Sequence, residues 1–192
     1  MTAVLISGPA LEPVSLSEAK AHLRVDTTDE DTLVSSLIAA ARLHAEAYTH
    51  RVFITQTWAI YLDQWPQTRP LSLPVAPVQS VSAINIYDED DTFVTTDATS
   101  YVVDAVSKPP RILWRGAGAA PRPGRKLNGI EIIVTAGYGA SGSQVPQPIR
   151  QALLMLVAQW FEYRQPPTLK DPGESVPPGI AAMLQAYSPV RL

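Results

Sequence analysis

The stretch Pro148–Arg164, PIRQALLMLVAQWFEYR, constrains the fold more than any other part of the chain. Ile149, Leu153, Leu156, Val157, Trp160 and Phe161 recur at spacings of three and four, which puts them on one stripe of a helix. Ala152, Leu154, Met155 and Ala158 widen the stripe until little of the middle turn is polar. A helix that is apolar around most of its circumference has to be covered on more than one side. Pro148 suits the first turn, where its missing N–H is not needed, and Pro166 with Pro167 stops the helix. At about 1.5 Å per residue the rod is roughly 25 Å long, the width of a small domain. Its continuous apolar run is about half of the roughly 20 residues a membrane span requires. The pattern predicts a central core helix with the rest of the chain packed around it, and reads Trp160 and Phe161 as core rather than as a ligand platform.

A length of 192 residues fits one domain, or one domain with an insertion. With 46% hydrophobic and 17% charged residues the chain can build a core and is unlike a disordered chain. A net charge of −3 argues against nucleic-acid binding as a property of the whole molecule. The absence of cysteine removes disulfides, zinc-thiolate sites and cysteine nucleophiles, and fits a reducing compartment. Residues 1–10 lack the basic start and the apolar length of a signal peptide. The 18 prolines imply stiff, extended connections.

Ser15 and Glu18 form an S-x-x-E capping box that opens a short helix over about 16–24. A second helix follows over about 31–50, with Leu33, Leu37, Ile38, Ala41, Ala45 and Tyr48 on its buried face and Arg42, Glu46 and Arg51 mainly off it. From Val52 the period changes to two. Residues 55–63 read as a strand, 66–78 as a proline-rich extended segment, and 81–87 with 92–96 as a hairpin around Asp88, Glu89, Asp90 and Asp91. Two short strands, 101–104 and 111–114, precede the turn Asn128-Gly129 and the strand 130–135. A glycine-rich loop leads into the central helix. A last short helix is predicted over about 180–187, with an extended end at 188–192. The fold class is α+β: a small helical core of two N-terminal helices, one long central helix and one short C-terminal helix, at about 15–51 and 146–187, carrying a β-rich insertion at about 52–140.

Gly137-Tyr138-Gly139-Ala140-Ser141-Gly142 matches G-x-G-x-x-G after a strand and before a helix, so a nucleotide-binding enzyme is the alternative reading. A dinucleotide site needs the helix to start within the motif, so that its N–H groups reach the pyrophosphate. Here Pro146 and Pro148 delay it, and no second parallel strand follows. His22, His44 and His50 lack metal-ligand spacing, and the acidic tip lacks the glycine and distal glutamate of a calcium loop. Nothing else pairs a nucleophile with a base, so no metal, cofactor or catalytic residue is assigned. From Lys108 to Lys126 the chain carries Lys108, Arg111, Arg115, Arg122, Arg125 and Lys126 with no acid, between glycines and prolines. Such a basic loop is either a solvated loop or a contact for an acidic protein surface or DNA phosphates. A monomeric peptide-binding module using an exposed strand edge is a third reading.

Several stretches in order resemble one known family: residues 14–25 (VSLSEAKAHLRV) with Asp29 and Asp31, 37–42 (LIAAAR) running to Tyr48, Gln56-Thr57-Trp58, 73–78 (LPVAPV) with Ser80 and Val81, Thr135-Ala136-Gly137-Tyr138, Val145-Pro146 with 149–152 (IRQA), 160–164 (WFEYR), and Pro178-Gly179-Ile180 with Leu184 and Tyr187. The set resembles the head–tail connector (adaptor) proteins of tailed phages, prophages and gene transfer agents. It departs from the family most at the C-terminus, where Tyr187-Ser188-Pro189-Val190-Arg191 is stretched. The resemblance implies a structural subunit without catalytic residues, in a ring of usually twelve copies beneath the portal protein. Such a ring joins the head to a stopper or tail-completion protein, and DNA passes through it without specific binding. It implies a particle neck assembled in the bacterial cytoplasm, and no membrane. On that reading Lys108, Arg111, Arg115, Arg122, Arg125, Lys126, Tyr187, Val190, Arg191 and Leu192 are expected to meet the portal or a neighbour. Asp88, Glu89, Asp90 and Asp91 are expected to face the lumen or the next ring.

Overall fold

In the computed structural model, which describes residues 1–66, 70–115, 120–163 and 176–188, the chain divides into two compact units. Residues 10–54 and 139–192 make a helical unit; residues 1–9 and 55–138 make a strand unit.

The helical unit contains α1 (Leu16–Leu23), α2 (Asp31–Thr49), α3 (Gln147–Glu162) and α4 (Pro178–Gln185). The capping box at the start of α1 is formed as the sequence predicts. Ser15 Oγ accepts the Glu18 N–H at 3.2 Å, and Glu18 Oε2 accepts the Ser15 N–H at 2.8 Å. That backbone bond is the main reason the Glu18 carboxyl sits below its ordinary pKa, with the nearby Arg150 adding to it. Both α1 and α2 end on a left-handed residue, Arg24 and His50. α3 is the hub of this unit and touches the other three helices. It buries Ile149, Ala152, Leu153, Leu156 and Val157. Trp160 and Phe161 are half-buried, with the Trp160 ring edge-on to His44 at 5.7 Å between centroids.

The inner face of α2 differs from the predicted one. Val34, Ile38, Ala41, Arg42, Ala45 and Thr49 are buried, Leu33 and Leu37 are half-buried, and Tyr48 is exposed. The cause is the inward-turned Arg42. Its guanidinium donates to Glu12 at 2.8 Å and to Glu46 at 2.9 Å, and Glu46 also accepts the Phe53 N–H at 2.8 Å. A periodicity count treats arginine and glutamate as outward residues. An ion pair with its remaining donors and acceptors satisfied can go inside. Burial raises the Glu46 pKa despite these bonds. Arg42 loses solvation too, but its bond to Glu12 and the charge of Glu46 outweigh that loss and hold it more firmly protonated.

The strand unit contains β1 (Thr2–Ser7), β2 (Gln56–Leu62), β3 (Leu71–Ser72), β4 (Val78–Tyr87), β5 (Phe93–Thr95), β6 (Tyr101–Asp104), β7 (Arg111–Trp114) and β8 (Ile130–Ala136). Five strands form an antiparallel sheet in the order β1-β2-β8-β4-β5, and three form a second sheet in the order β3-β7-β6. Alternation along β8 sets the register. Ile132 pairs with Ile60 of β2 and Ile84 of β4, and all three are fully buried. One residue on, the row turns polar: Glu131 lies between Tyr61 and Asn85. Glu131 accepts from the Tyr61 hydroxyl at 2.7 Å, from the Asn85 amide at 2.9 Å and from the Tyr87 hydroxyl at 3.3 Å. The bond to Glu131 pushes the Tyr61 phenol up to about 12. β1 was not predicted. It pairs with β2 from Thr2↔Tyr61 onward and forms one edge of the larger sheet, so residues 1–9 belong with the strands rather than with the helices.

Candidate assembly surfaces

The acidic hairpin tip is ordered by its own first residue. Asp88 Oδ1 accepts the N–H groups of Asp90 and Thr92, both at 2.9 Å, and Oδ2 accepts the Thr92 hydroxyl at 2.5 Å. The Thr92 hydroxyl is the main reason the Asp88 carboxyl lies below its ordinary pKa. Asp91 takes a left-handed conformation, φ 61°, which closes the turn. Asp88 is thus occupied by the turn, while Glu89, Asp90 and Asp91 are exposed.

The basic segment is divided by the fold. Arg111 donates to Asp104 at 2.8 Å. Asp104 also accepts from the Ser107 hydroxyl at 2.6 Å and from the Ser107 N–H at 3.0 Å, and these bonds hold its carboxyl well below the usual range, with Arg111 adding to them. Arg125 lies 3.4 Å from Asp91 and places its guanidinium 5.0 Å from the centre of the Tyr87 ring. The Gly124 N–H donates to the Tyr87 carbonyl at 3.0 Å, and a Cβ on Gly124 would stand 2.7 Å from the Glu89 nitrogen. The acidic tip and the end of the basic segment, read from sequence as two surfaces, are therefore neighbours. Among the described residues, Lys108, Arg115, Arg122 and Lys126 are exposed and form no ion pair.

Tyr187 is half-buried. Its carbonyl accepts from Arg51 Nε at 2.5 Å, and its N–H donates to the Leu184 carbonyl at 2.9 Å. The point from which the C-terminus departs is thus fixed to the segment after α2. Val190, Arg191 and Leu192 lie outside the described residues.

The glycine motif is a packing device. Gly137, at φ 128°, donates its N–H to the Pro77 carbonyl at 2.8 Å. The Ser141 N–H donates to Gln144 Oε1 at 3.1 Å. A Cβ on Gly142 would lie 2.4 Å from the Pro13 carbonyl oxygen. α3 starts only at Gln147. Both N–H groups are already taken by Pro77 and Gln144, whereas a pyrophosphate needs such groups free and at the helix start, so the nucleotide-site alternative has no geometric support. Among the described residues no group of three or more His, Asp or Glu side chains could hold a metal ion, and no helix is long and apolar enough to cross a membrane.

Two uncharged surfaces were not singled out from sequence. One is the edge strand β1, where Val4, Leu5 and Ile6 are about half-exposed. The other is the outward face of α2 around Leu43.

Residues 13–105 match the family described as phage gp6-like head–tail connector protein. No curated protein matches the chain significantly. Solved structures match it from end to end. A chain of the virion of a native gene transfer agent particle is 27% identical, with a TM-score of 0.83 over 100% of this chain and 97% of that one. Chains of the neck of the empty particle, computed with C6 symmetry, and of the native particle, computed with C12 symmetry, have the same identity and coverage, with TM-scores of 0.85 and 0.77. The capped first helix, the central α3 and the strands between α2 and α3 all fall within the likeness to the neck chains, and residues 13–105 resemble the phage gp6-like head–tail connector proteins.

Proposed function

We propose that the chain is a structural adaptor in the neck of a phage-like particle. It forms a ring under the portal protein that joins the head to a stopper or tail-completion protein and lets DNA through. The observation that carries this reading is the likeness to neck chains over the whole length, at a TM-score of 0.85. The ring has twelve copies, as fits the C12 symmetry of one of those necks. The role is mechanical and not enzymatic, and the ring is assembled in the bacterial cytoplasm before the tail joins.

Within this reading, Lys108, Arg115, Arg122 and Lys126 serve as the adjustable charges toward the portal or a neighbour, because their side chains are exposed. Arg111 and Arg125 act one step back, shaping that loop through Asp104 and Asp91. The segment from Tyr187 to Leu192 leaves from a fixed point and docks on the portal. Glu89, Asp90 and Asp91 face the lumen or the next ring, where acidic groups prevent strong phosphate binding that would slow DNA. Deleting residues 188–192 tests the docking assignment: the protein should stay folded while attachment to portal rings falls. Unchanged attachment would overturn it.

A further inference from the structure

A closed ring of identical subunits needs two different surfaces of the chain to meet, one from each neighbour. We infer that the outward face of α2 in one copy packs on the outward face of α4 in the next. This rests on the ring reading above and names its subunit contact.

Surface helices ordinarily carry their charges outward. In α2 the charges are drawn away from the outer face. Asp31 is tied to Lys20 at 2.5 Å, and Arg42 and Glu46 lie inside with Glu12. On the outer side Thr32, Ser36, Ala40, Leu43, Ala47 and His50 follow one another at spacings of four and three, all exposed, with no Asp, Glu, Lys or Arg among them. They lie opposite the buried Val34, Ile38, Ala41 and Ala45. One exposed leucine is ordinary. An uncharged face along a 19-residue helix, about 28 Å, is not.

α4 offers a counterpart in the same helical unit. Pro178–Gln185 contains no charged residue. Its exposed positions are Pro178, Gly179, Ala182 and Gln185, followed by Ala186, and a Cβ on Gly179 would meet nothing within 4 Å. Leu43, 58% exposed, would project into a surface with no side chain larger than Gln185. Two different faces, both uncharged, meet the requirement of a head-to-tail contact.

The strand unit offers a rival pair, the uncharged sheet edges β1 and β5, and average strand twist disfavours it. Neighbouring strands are rotated by about 20–25°, so across four steps β5 is turned by roughly 80–100° from β1. A twelvefold axis turns each copy by 360°/12 = 30°, so the next copy's β1 stays within 30° of the first. At that average twist it would cross β5 at about 50° or more, beyond the roughly 10–35° between ordinary paired strands.

The 8-residue α4 limits the contact to a strip about 12 Å by about 10 Å, roughly 120 Å² per partner and far below the ~800 Å² of a stable two-body interface. One such contact does not hold a pair. A ring in which every copy makes it twice is a different case, and the free chain is expected to be monomeric.

Because the chain has no cysteine, an introduced pair is unique. Particles carrying Leu43→Cys with Ala182→Cys, treated with a short bis-maleimide, should give a ladder of linked copies on a denaturing gel, and either single variant should not. Leu43→Glu should leave the melting temperature and helix content of the free chain unchanged and lower the yield of tailed particles at least tenfold. Rings visible by electron microscopy without a ladder, or Leu43→Glu particles with normal rings, would overturn the inference and leave the ring reading intact. Wild-type particles containing no ring of this chain would overturn both.

Discussion

The chain holds charge pairs in two contrasting settings. In the helical unit, Glu12, Arg42 and Glu46 are tied together with Arg42 inside; in the strand unit, Asp91 and Arg125 meet at an exposed hairpin tip. The chemistry of the partners is the same, and the consequences differ. Inside, Arg42 and Glu46 depend on each other and on Glu12, since water reaches those two side chains poorly. At the tip, water and salt substitute readily. The inner set therefore helps to fix the fold, and the exposed pair adds little to it.

The largest effect should come from breaking the inner set. Glu46→Ala leaves Arg42 buried beside Glu12 alone and removes the acceptor of the Phe53 N–H, so unfolding by denaturant should show a loss of about 3–5 kcal/mol. Replacing both residues, Arg42→Met with Glu46→Leu, should cost clearly less than the single change. Equal losses would mean that packing and not charge dominates there. Gly142→Ala comes next. Its Cβ would press on the Pro13 carbonyl oxygen, and about 1–3 kcal/mol should be lost by the same measurement, with no dependence on nucleotide.

Ser15→Ala removes half of the capping box and should cost about 1 kcal/mol. It also changes the acid limb of stability. The Glu18 pKa is lowered in the folded chain, so its contribution is present above the ordinary carboxylate pKa and disappears as pH falls through the folded value. Glu46 is raised, so it works in the opposite sense: its contribution is present below the ordinary value and is lost as pH rises through the folded one. Melting followed from pH 7 to pH 3 should therefore show a shallower acid loss in Ser15→Ala than in the wild type. Smallest of all, Asp91→Ser should shift stability by less than about 1 kcal/mol, and the shift should vanish in high salt. A large effect there would break the contrast between the two settings.

Much of this architecture was legible in the sequence because it rests on local rules. The capping box, the α3 stripe, the alternation of β8 and the hairpin at Asp88–Asp91 each declare themselves within a dozen residues. What escaped depends on partners distant in sequence. β1 has no clean alternation, and only its pairing with β2 makes it a strand. The rotation of α2 follows from Glu12, which no periodicity count on α2 includes. The segment from Lys108 to Lys126 contains no acid, yet Arg111 and Arg125 find Asp104 and Asp91 outside it. Of the predicted site, the exposed character of Lys108, Arg115, Arg122 and Lys126 was readable from composition, and the closeness of the basic segment to the acidic tip was not.

The most direct test of the neck-ring role is electron cryomicroscopy of particles in which this chain carries a small label at its N-terminus. A ring of twelve labelled copies is expected between the portal and the next neck layer, with DNA density on its axis. Labelled protein absent from the neck, or found only as free monomers in the lysate of cells making normal particles, would contradict it.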